Sequence, residues 1–251
     1  MFESFDSDLH AYLRAQTADH THRVGRFVLL LDSEDSGPFR NYAVPDDGAD
    51  PAPAEIEELV AAFTERGRTP RLEYLEKPCP RLEPALLAAG FRVEARLPIS
   101  VCPPADAVAH ATDDSIELLL AATDDDLWMA AAVQNDAYGA PAPSPHDLAR
   151  LRRTVDGGGL VALARDRRTG HGVGSGLCGT PHSGISEVAA IGVRATYRRR
   201  GIATALVGML TRSCPAAGIT TPFLMAETPA EERIYHRIGY RRTGWMMHIS
   251  R

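Results

Sequence analysis

A chain of 251 residues exceeds one ordinary domain of about 150 residues and points to one large domain or two modest ones. With 44% hydrophobic and 24% charged residues it has enough apolar material for a buried core, and no window holds the ~20 uninterrupted apolar residues of a membrane span. A membrane-spanning helix is thereby excluded, and an acidic net charge of −6 with 6% aromatic residues argues against a nucleic-acid partner.

The opening MFESFDSDLH has neither a basic n-region nor an apolar h-region, so a cytoplasmic location is expected. Cys79, Cys102, Cys178 and Cys214 stand far apart, outside any metal-ligand or disulfide spacing, and read as buried free thiols. His20 and His22 are the only close histidines, and an i,i+2 pair cannot share a helix face, so no metal is expected. The charge is uneven. Residues 1–112 hold eleven basic and nineteen acidic side chains, whereas 113–251 hold sixteen and fourteen.

The first half is the less legible. Residues 39–100 read as strand 39–44, helix 54–66, strand 71–75, helix 81–89 and strand 91–99. In the second half, an apolar strand at 116–121 precedes Thr123, which has an acid three residues on and caps a helix that stops near Tyr138 and Gly139. Ser144, Pro145 and Asp147 start another helix that runs to about Val155. Strands at 160–164 and 172–178 form a hairpin, and a strand at 186–194 follows. The period then changes to 3.6, with Ile202, Leu206, Met209 and Leu210 on one stripe of a helix that ends by Pro215. A buried strand at 222–226, a helix capped by Thr228 with Glu231, and a strand at 240–249 complete the order β-α-α-β-β-β-α-β-α-β.

An ungapped offset of 149 residues sets Gly90-Phe91 on Gly239-Tyr240, Val44 on Val193 and Leu75 on Leu224, with the same element order throughout. Residues 39–100 therefore read as a second copy of 188–249. The fold class is α/β, with mixed sheets flanked by helices, divided into domains 1–112 and 113–251.

The most informative stretch runs from Glu187 to Thr204. A strand ends, an arginine- and glycine-rich turn follows, and a helix opens near Ile202. Unpaired amides and the positive dipole end of such a helix receive a phosphate, and Arg198, Arg199 and Arg200 add charge. Neither a Walker A loop nor GxGxxG is present. A solvated helix cap or a nucleic-acid patch is the alternative reading of three arginines in a row.

Over residues 115–251 the chain resembles the GNAT superfamily of acetyl-CoA-dependent N-acetyltransferases. The pattern Gln/Arg-x-x-Gly-x-Gly/Ala occurs as Arg198-Arg199-Arg200-Gly201-Ile202-Ala203, and Tyr-x-x-x-Gly-Phe/Tyr occurs from Tyr235 to Gly239-Tyr240. The resemblance implies that the pyrophosphate of acetyl-CoA lies on the amides from Arg199 to Thr204. It further implies that pantetheine pairs with Ile191 and Val193 beside Gly192, with the Val193 N–H toward the thioester carbonyl. Strand alternation puts Glu187, Ala189, Ile191 and Val193 on one face, which makes Glu187 the candidate base for the amine; a solvated strand-end glutamate is the other reading. By resemblance Tyr235 is the general acid for the thiolate, against a purely structural aromatic paired with Phe223. Where the family often has asparagine, Thr228 serves as a cap. Asp136 and Tyr138 are the acceptor-side candidates.

By the same offset the arginine run falls on Ala49, Asp50 and Pro51, within an acidic, proline-rich loop that repels pyrophosphate. The first copy is thus a degenerate GNAT-like domain expected to bind no coenzyme. Its acid excess would favour a cationic acceptor, while a spacer or a homodimer contact is its alternative use. The expected function is acetyl transfer from acetyl-CoA to a primary amine by direct attack in a ternary complex, without a metal. The rival is a non-catalytic acyl-CoA sensor, which has no use for Glu187 or Tyr235.

Overall fold

A helix, α1 (Phe2–Ala15), leads the computed structural model, which describes residues 2–16 and 20–251. It is followed by β1 (His20–Val24), β2 (Phe27–Leu31), β3 (Tyr42–Pro45), α2 (Pro53–Thr64), β4 (Arg71–Leu75), α3 (Leu82–Ala88) and β5 (Arg92–Val101). The second half supplies β6 (Ile116–Leu120), α4 (Asp124–Tyr138), α5 (Pro145–Asp156), β7 (Leu160–Asp166), β8 (Gly172–Cys178) and β9 (Ile185–Val193). Then come α6 (Ile202–Ser213), β10 (Thr221–Met225), α7 (Pro229–Ile238) and β11 (Arg241–Ser250). Two units result, one of Met1–Ile99 with Thr243–Arg251, the other of Ser100–Arg242.

In the first unit the strand order is β1-β2-β3-β4-β11-β5. β3 and β4 run parallel and meet only at Ala43 and Leu72, while β11 lies antiparallel to β4 with Met247 opposite Tyr74. Alternation puts Leu72, Tyr74, Met247 and Ile249 on one face, and Ile56, Leu59 and Phe63 of α2 cover it. Each fully buried side chain of this kind contributes about 1.5–3 kcal/mol. Three outcomes depart from the sequence reading. The strand expected from residue 39 begins at Tyr42, because Pro38 opens a 3-10 turn over Pro38–Arg40 that strand pairing cannot use. α1 and the β1–β2 hairpin were not anticipated. The strand expected to close the second domain ladders with β4, since Met246, Met247 and Ile249 find their apolar cover there.

The second unit has the order β10-β9-β8-β7-β6, antiparallel except for β9 and β10. The expected caps are in place: Thr123, Ser144 and Thr228 accept from the amides of Asp126, Asp147 and Glu231. Ile202, Leu206 and Leu210 of α6 fill one side of the sheet. Leu127, Ala130 and Ala131 of α4 fill the other. At the offset of 149, α2 coincides with α6 and β5 with β11 at both ends. All four cysteines are buried free thiols, and no described helix is long and apolar enough to cross a membrane.

Candidate active site

β9 and β10 share a ladder only from Ile185–Thr221 to Glu187–Phe223. Both strands continue beyond it, so they part into a fork with Glu187 at its vertex. The rest of β9 pairs with β8 on its other edge alone, with an irregularity: Ser175 faces Gly192 and Leu177 faces Ala189, which leaves Ala190 and Ile191 opposite Gly176. Ala190 has φ +53, so this is a β-bulge with an alanine in the left-handed region.

The bulge corrects one expectation. Glu187, Ala189, Ile191 and Val193 do not share a face. Ala189 and Ala190 pack with the α4 core, while Ile191 and Val193 pack with the α6 core. Glu187, two residues before Ala189, therefore looks toward α4, where Tyr138 is found. Arg194 N–H donates to Val173 O, so the alternating antiparallel pattern turns Gly192 toward β8 and aims the N–H and C=O of Val193 at the fork. The Val193 carbonyl accepts from Arg198 Nε at 3.1 Å.

α6 begins at Gly201, whose φ of +77 is a conformation that disfavours any side chain. No side chain caps this end. The first intrahelical bond is Ala205 N–H to Gly201 O, and the amides of Ile202, Ala203 and Thr204 have no backbone partner among the described residues. Nor is there an acid in the first turn, so the dipole end faces outward uncompensated. The three arginines before it differ. Arg198 is tied to Val193, and Arg200 donates to Asp113 at 2.7 Å and to Ser115 at 3.0 Å while stacking on Tyr197. Arg199, at φ +64, is exposed and has no ion-pair partner among the described residues.

Tyr235, half-buried on α7, has its ring centroid 6.3 Å from that of Tyr240. Burial, reinforced by Glu231, Tyr138 and Glu227, pushes its phenol well above the usual range and keeps it protonated. Tyr138 closes α4. Its ring is exposed, but its hydroxyl donates to Ile191 O at 3.3 Å, and desolvation there, with the carboxylates of Glu227, Glu231 and Glu187, pushes it up to about 12. The structure thus gathers Glu187, Tyr138 and Tyr235 by the fork. Asp136 is not brought there; it is exposed about 200° around the helix from Tyr138.

Glu227, Glu231 and Gln134 were missed by sequence reasoning. Glu231 was legible only as a cap, and its Oε2 does accept from the amides of Glu227 and Thr228. Nothing in the local pattern marks Gln134, whose partner Ser175 is forty-one positions away.

The first unit contrasts at each point. Glu55 Oε2 accepts from Ala52 N–H at 2.9 Å, so an internal carboxylate occupies the N-terminus of α2, where α6 has none. The loop acids are also engaged: Asp46 with Arg23, Asp47 with His10 and Arg14, Asp50 with Arg81. A cavity of about 340 Å³ in this unit is lined by Leu31, Asp32, Ser33, Arg66 and Arg68. Arg68 directs its donors there to oxygens of Asn41, Arg66 and Asp32. No three His, Cys, Asp or Glu side chains among the described residues are grouped to hold a metal.

The family model for the acetyltransferase (GNAT) domain matches residues 182–243, which span the fork, the arginine turn, α6 and α7. No curated protein matches the chain. Among solved structures, a GCN5-related N-acetyltransferase from Kribbella flavida is 23% identical with TM-score 0.75, covering 99% of this chain and 94% of that one. Another, from Sphaerobacter thermophilus, is 15% identical with TM-score 0.65, covering 92% and 82%. A tandem GNAT protein from the clavulanic acid biosynthesis pathway is 12% identical with TM-score 0.62, covering 90% and 78%. These likenesses concern the fold, and the family match concerns the segment that builds the fork. Residues 182–243 match the GNAT acetyltransferase domain, within a chain whose fold is like that of the GCN5-related N-acetyltransferase from Kribbella flavida over 99% of its length.

Proposed function

We propose that the second unit transfers an acetyl group from acetyl-CoA to a primary amine by direct attack in a ternary complex. One observation carries this reading: the strand fork opens beside a helix N-terminus that has no side-chain cap, no acid in its first turn, and an exposed arginine with no ion-pair partner among the described residues. The pyrophosphate rests on the amides of Ile202, Ala203 and Thr204 with Arg199 as counter-charge. Pantetheine lies along the free edge of β9 at Ile191 and Val193, and the Val193 N–H stabilises the oxyanion that forms on the thioester, a contribution of roughly 3 kcal/mol.

Glu187, at the vertex, takes a proton from the ammonium form of the acceptor, directly or through one water. The neutral nitrogen attacks the carbonyl carbon, the C–N bond forms, and the C–S bond breaks. Tyr235 donates its proton to the departing thiolate and its phenolate takes the second proton from the acylated nitrogen, so the products are an acetamide and coenzyme A, and the first proton passes from Glu187 to solvent. Glu227 and Glu231, on the Tyr138 and Tyr235 side, favour a cationic acceptor. The first unit, with its helix end filled by Glu55, is a degenerate copy without a coenzyme site.

The test is thiol release with a panel of amines, joined to calorimetry with acetyl-CoA. Glu187→Gln is expected to lower kcat about 100-fold, and Tyr235→Phe at least about ten-fold, with one acetyl-CoA bound per chain in both. Unchanged turnover in both variants would sink the mechanism. Binding without turnover of any amine would favour a sensor.

A further inference from the structure

The bulge in β9 sits on a strand whose other edge has no ladder partner past Glu187 among the described residues, and it contains an alanine at φ +53. Such a backbone persists only where neighbours over-determine it. Those neighbours are on one turn of one helix. Gln134, Ala137 and Tyr138 stand at i, i+3 and i+4, hence on the same face of α4. Gln134 Nε2 donates to Ser175 Oγ at 3.2 Å, and Ser175 is the ladder partner of Gly192. Ala137 lies so close over Gly192 that a Cβ there would come within 2.7 Å of the Ala137 Cβ. Tyr138 donates to the carbonyl of Ile191 at 3.3 Å. Three consecutive parts of the irregularity, its carbonyl, its glycine and its opposite strand, are each held by a different side chain.

Gln134 and Ser175 are both buried, 4% and 0% exposed, and a polar pair in such a place specifies geometry better than it adds stability. A neutral apolar pair would fill the same space without fixing the distance between helix and strand.

We propose that this last turn of α4 is a clamp that sets the β9 bulge, so that the hydroxyl of Tyr138 is a positioning group for acetyl transfer and serves the strand rather than the acceptor. The proposal rests on the acetyl-transfer reading for its catalytic consequence, because the bulge decides whether the Val193 amide points into the fork. It has a consequence independent of activity as well, since an unclamped bulge opens more often and its amides exchange faster with solvent.

The experiment compares the wild-type chain with Tyr138→Phe, which keeps the ring and loses the donor, and Gln134→Leu. Hydrogen exchange over residues 188–193, thermal unfolding, and kcat and KM for a reactive amine are measured together. The expected result for Tyr138→Phe is faster exchange in that segment, an unfolding temperature like the wild type's, and kcat lowered about ten-fold with acceptor KM within about two-fold. Wild-type exchange with a raised acceptor KM and unchanged kcat overturns the clamp and makes Tyr138 an acceptor contact. Should the wild type turn over no amine, the acetyl-transfer reading fails, and exchange alone decides the clamp: faster in both variants supports it, unchanged in both overturns it.

Discussion

Arg199 and Arg200 are adjacent, both charged, and held in opposite ways. Arg200 is tied to Asp113, Ser115 and the Tyr197 ring, so its charge is already answered within the protein. Arg199 has no such partner, and its left-handed backbone turns it out of the path that its neighbours follow. Its guanidinium is therefore the one expected to meet a phosphate, and a charge-assisted hydrogen bond of about 1.5 kcal/mol corresponds to about ten-fold in affinity. Arg199→Ala should raise the KM for acetyl-CoA about ten-fold without moving the unfolding temperature. Arg200→Ala should lower the unfolding temperature and leave that KM within about two-fold. Equal effects of the two would show that the run acts as a diffuse charge. The sequence makes the three arginines visible together but not this division of labour, because it depends on Asp113, which lies far away along the chain. Glu187 illustrates the same limit. Its place on the strand was legible, whereas the face it shares was not, since one left-handed alanine reverses the alternation and alanine carries no signal for that conformation.

Helix ends separate the readable elements from the unreadable ones. α4, α5 and α7 begin at side-chain caps that a three-residue pattern announces, and α6 announces itself by glycine where the others have threonine or serine. α1 and the β1–β2 hairpin give no comparable sign. The strands have five residues each around a turn at Gly25, too short for an alternation to stand out. Yet α1 contributes a buried titratable group. His10 is fully buried, its Nε2 accepts from Leu75 N–H at 2.7 Å, and Nδ1, which then carries the proton, donates to Asp47 at 2.9 Å. Burial, outweighing the pull of Asp47, lowers the pKa of His10, and burial likewise lowers that of His248. Both groups are neutral in the folded state, so the stability linked to them is present above the ordinary histidine value of 6.5 and is lost as the pH falls through the depressed folded values. Unfolding temperature is expected to fall from pH 7 to pH 5, and His10→Gln should flatten that slope to the share left by His248. An identical slope in wild type and variant would mean that the imidazole is not the group that titrates.

At the scale of the whole molecule, the path of the chain limits what a contiguous division can mean. The offset of 149 residues was readable because α2 and α6, and β5 and β11, keep equal lengths and spacings. The company kept by β11 was not readable, because its alternation fits any sheet that offers an apolar face. In the structure it ladders with β4 from Met246 opposite Leu75 to Ser250 opposite Arg71, and Met247 and Ile249 are fully buried in the first unit's core. A fragment of residues 113–251 therefore carries a strand whose partner it lacks, and a fragment of residues 1–112 loses the strand between its β4 and β5. In the latter the exposed β4 edge leaves backbone amides and carbonyls unpaired beside an apolar face, a combination that promotes aggregation. Removing a buried methionine or isoleucine alone costs about 2–5 kcal/mol, comparable to a large part of a domain's stability, so the loss of all of β11 should leave the first unit unfolded. Residues 1–112 expressed alone are expected to be insoluble or to lack cooperative unfolding. Supplying residues 113–251 in the same cell should restore a soluble complex that unfolds cooperatively. A monomeric, cooperatively folded 1–112 fragment would show that β4 and β5 close on one another when β11 is absent, and that the unit is complete as a contiguous domain.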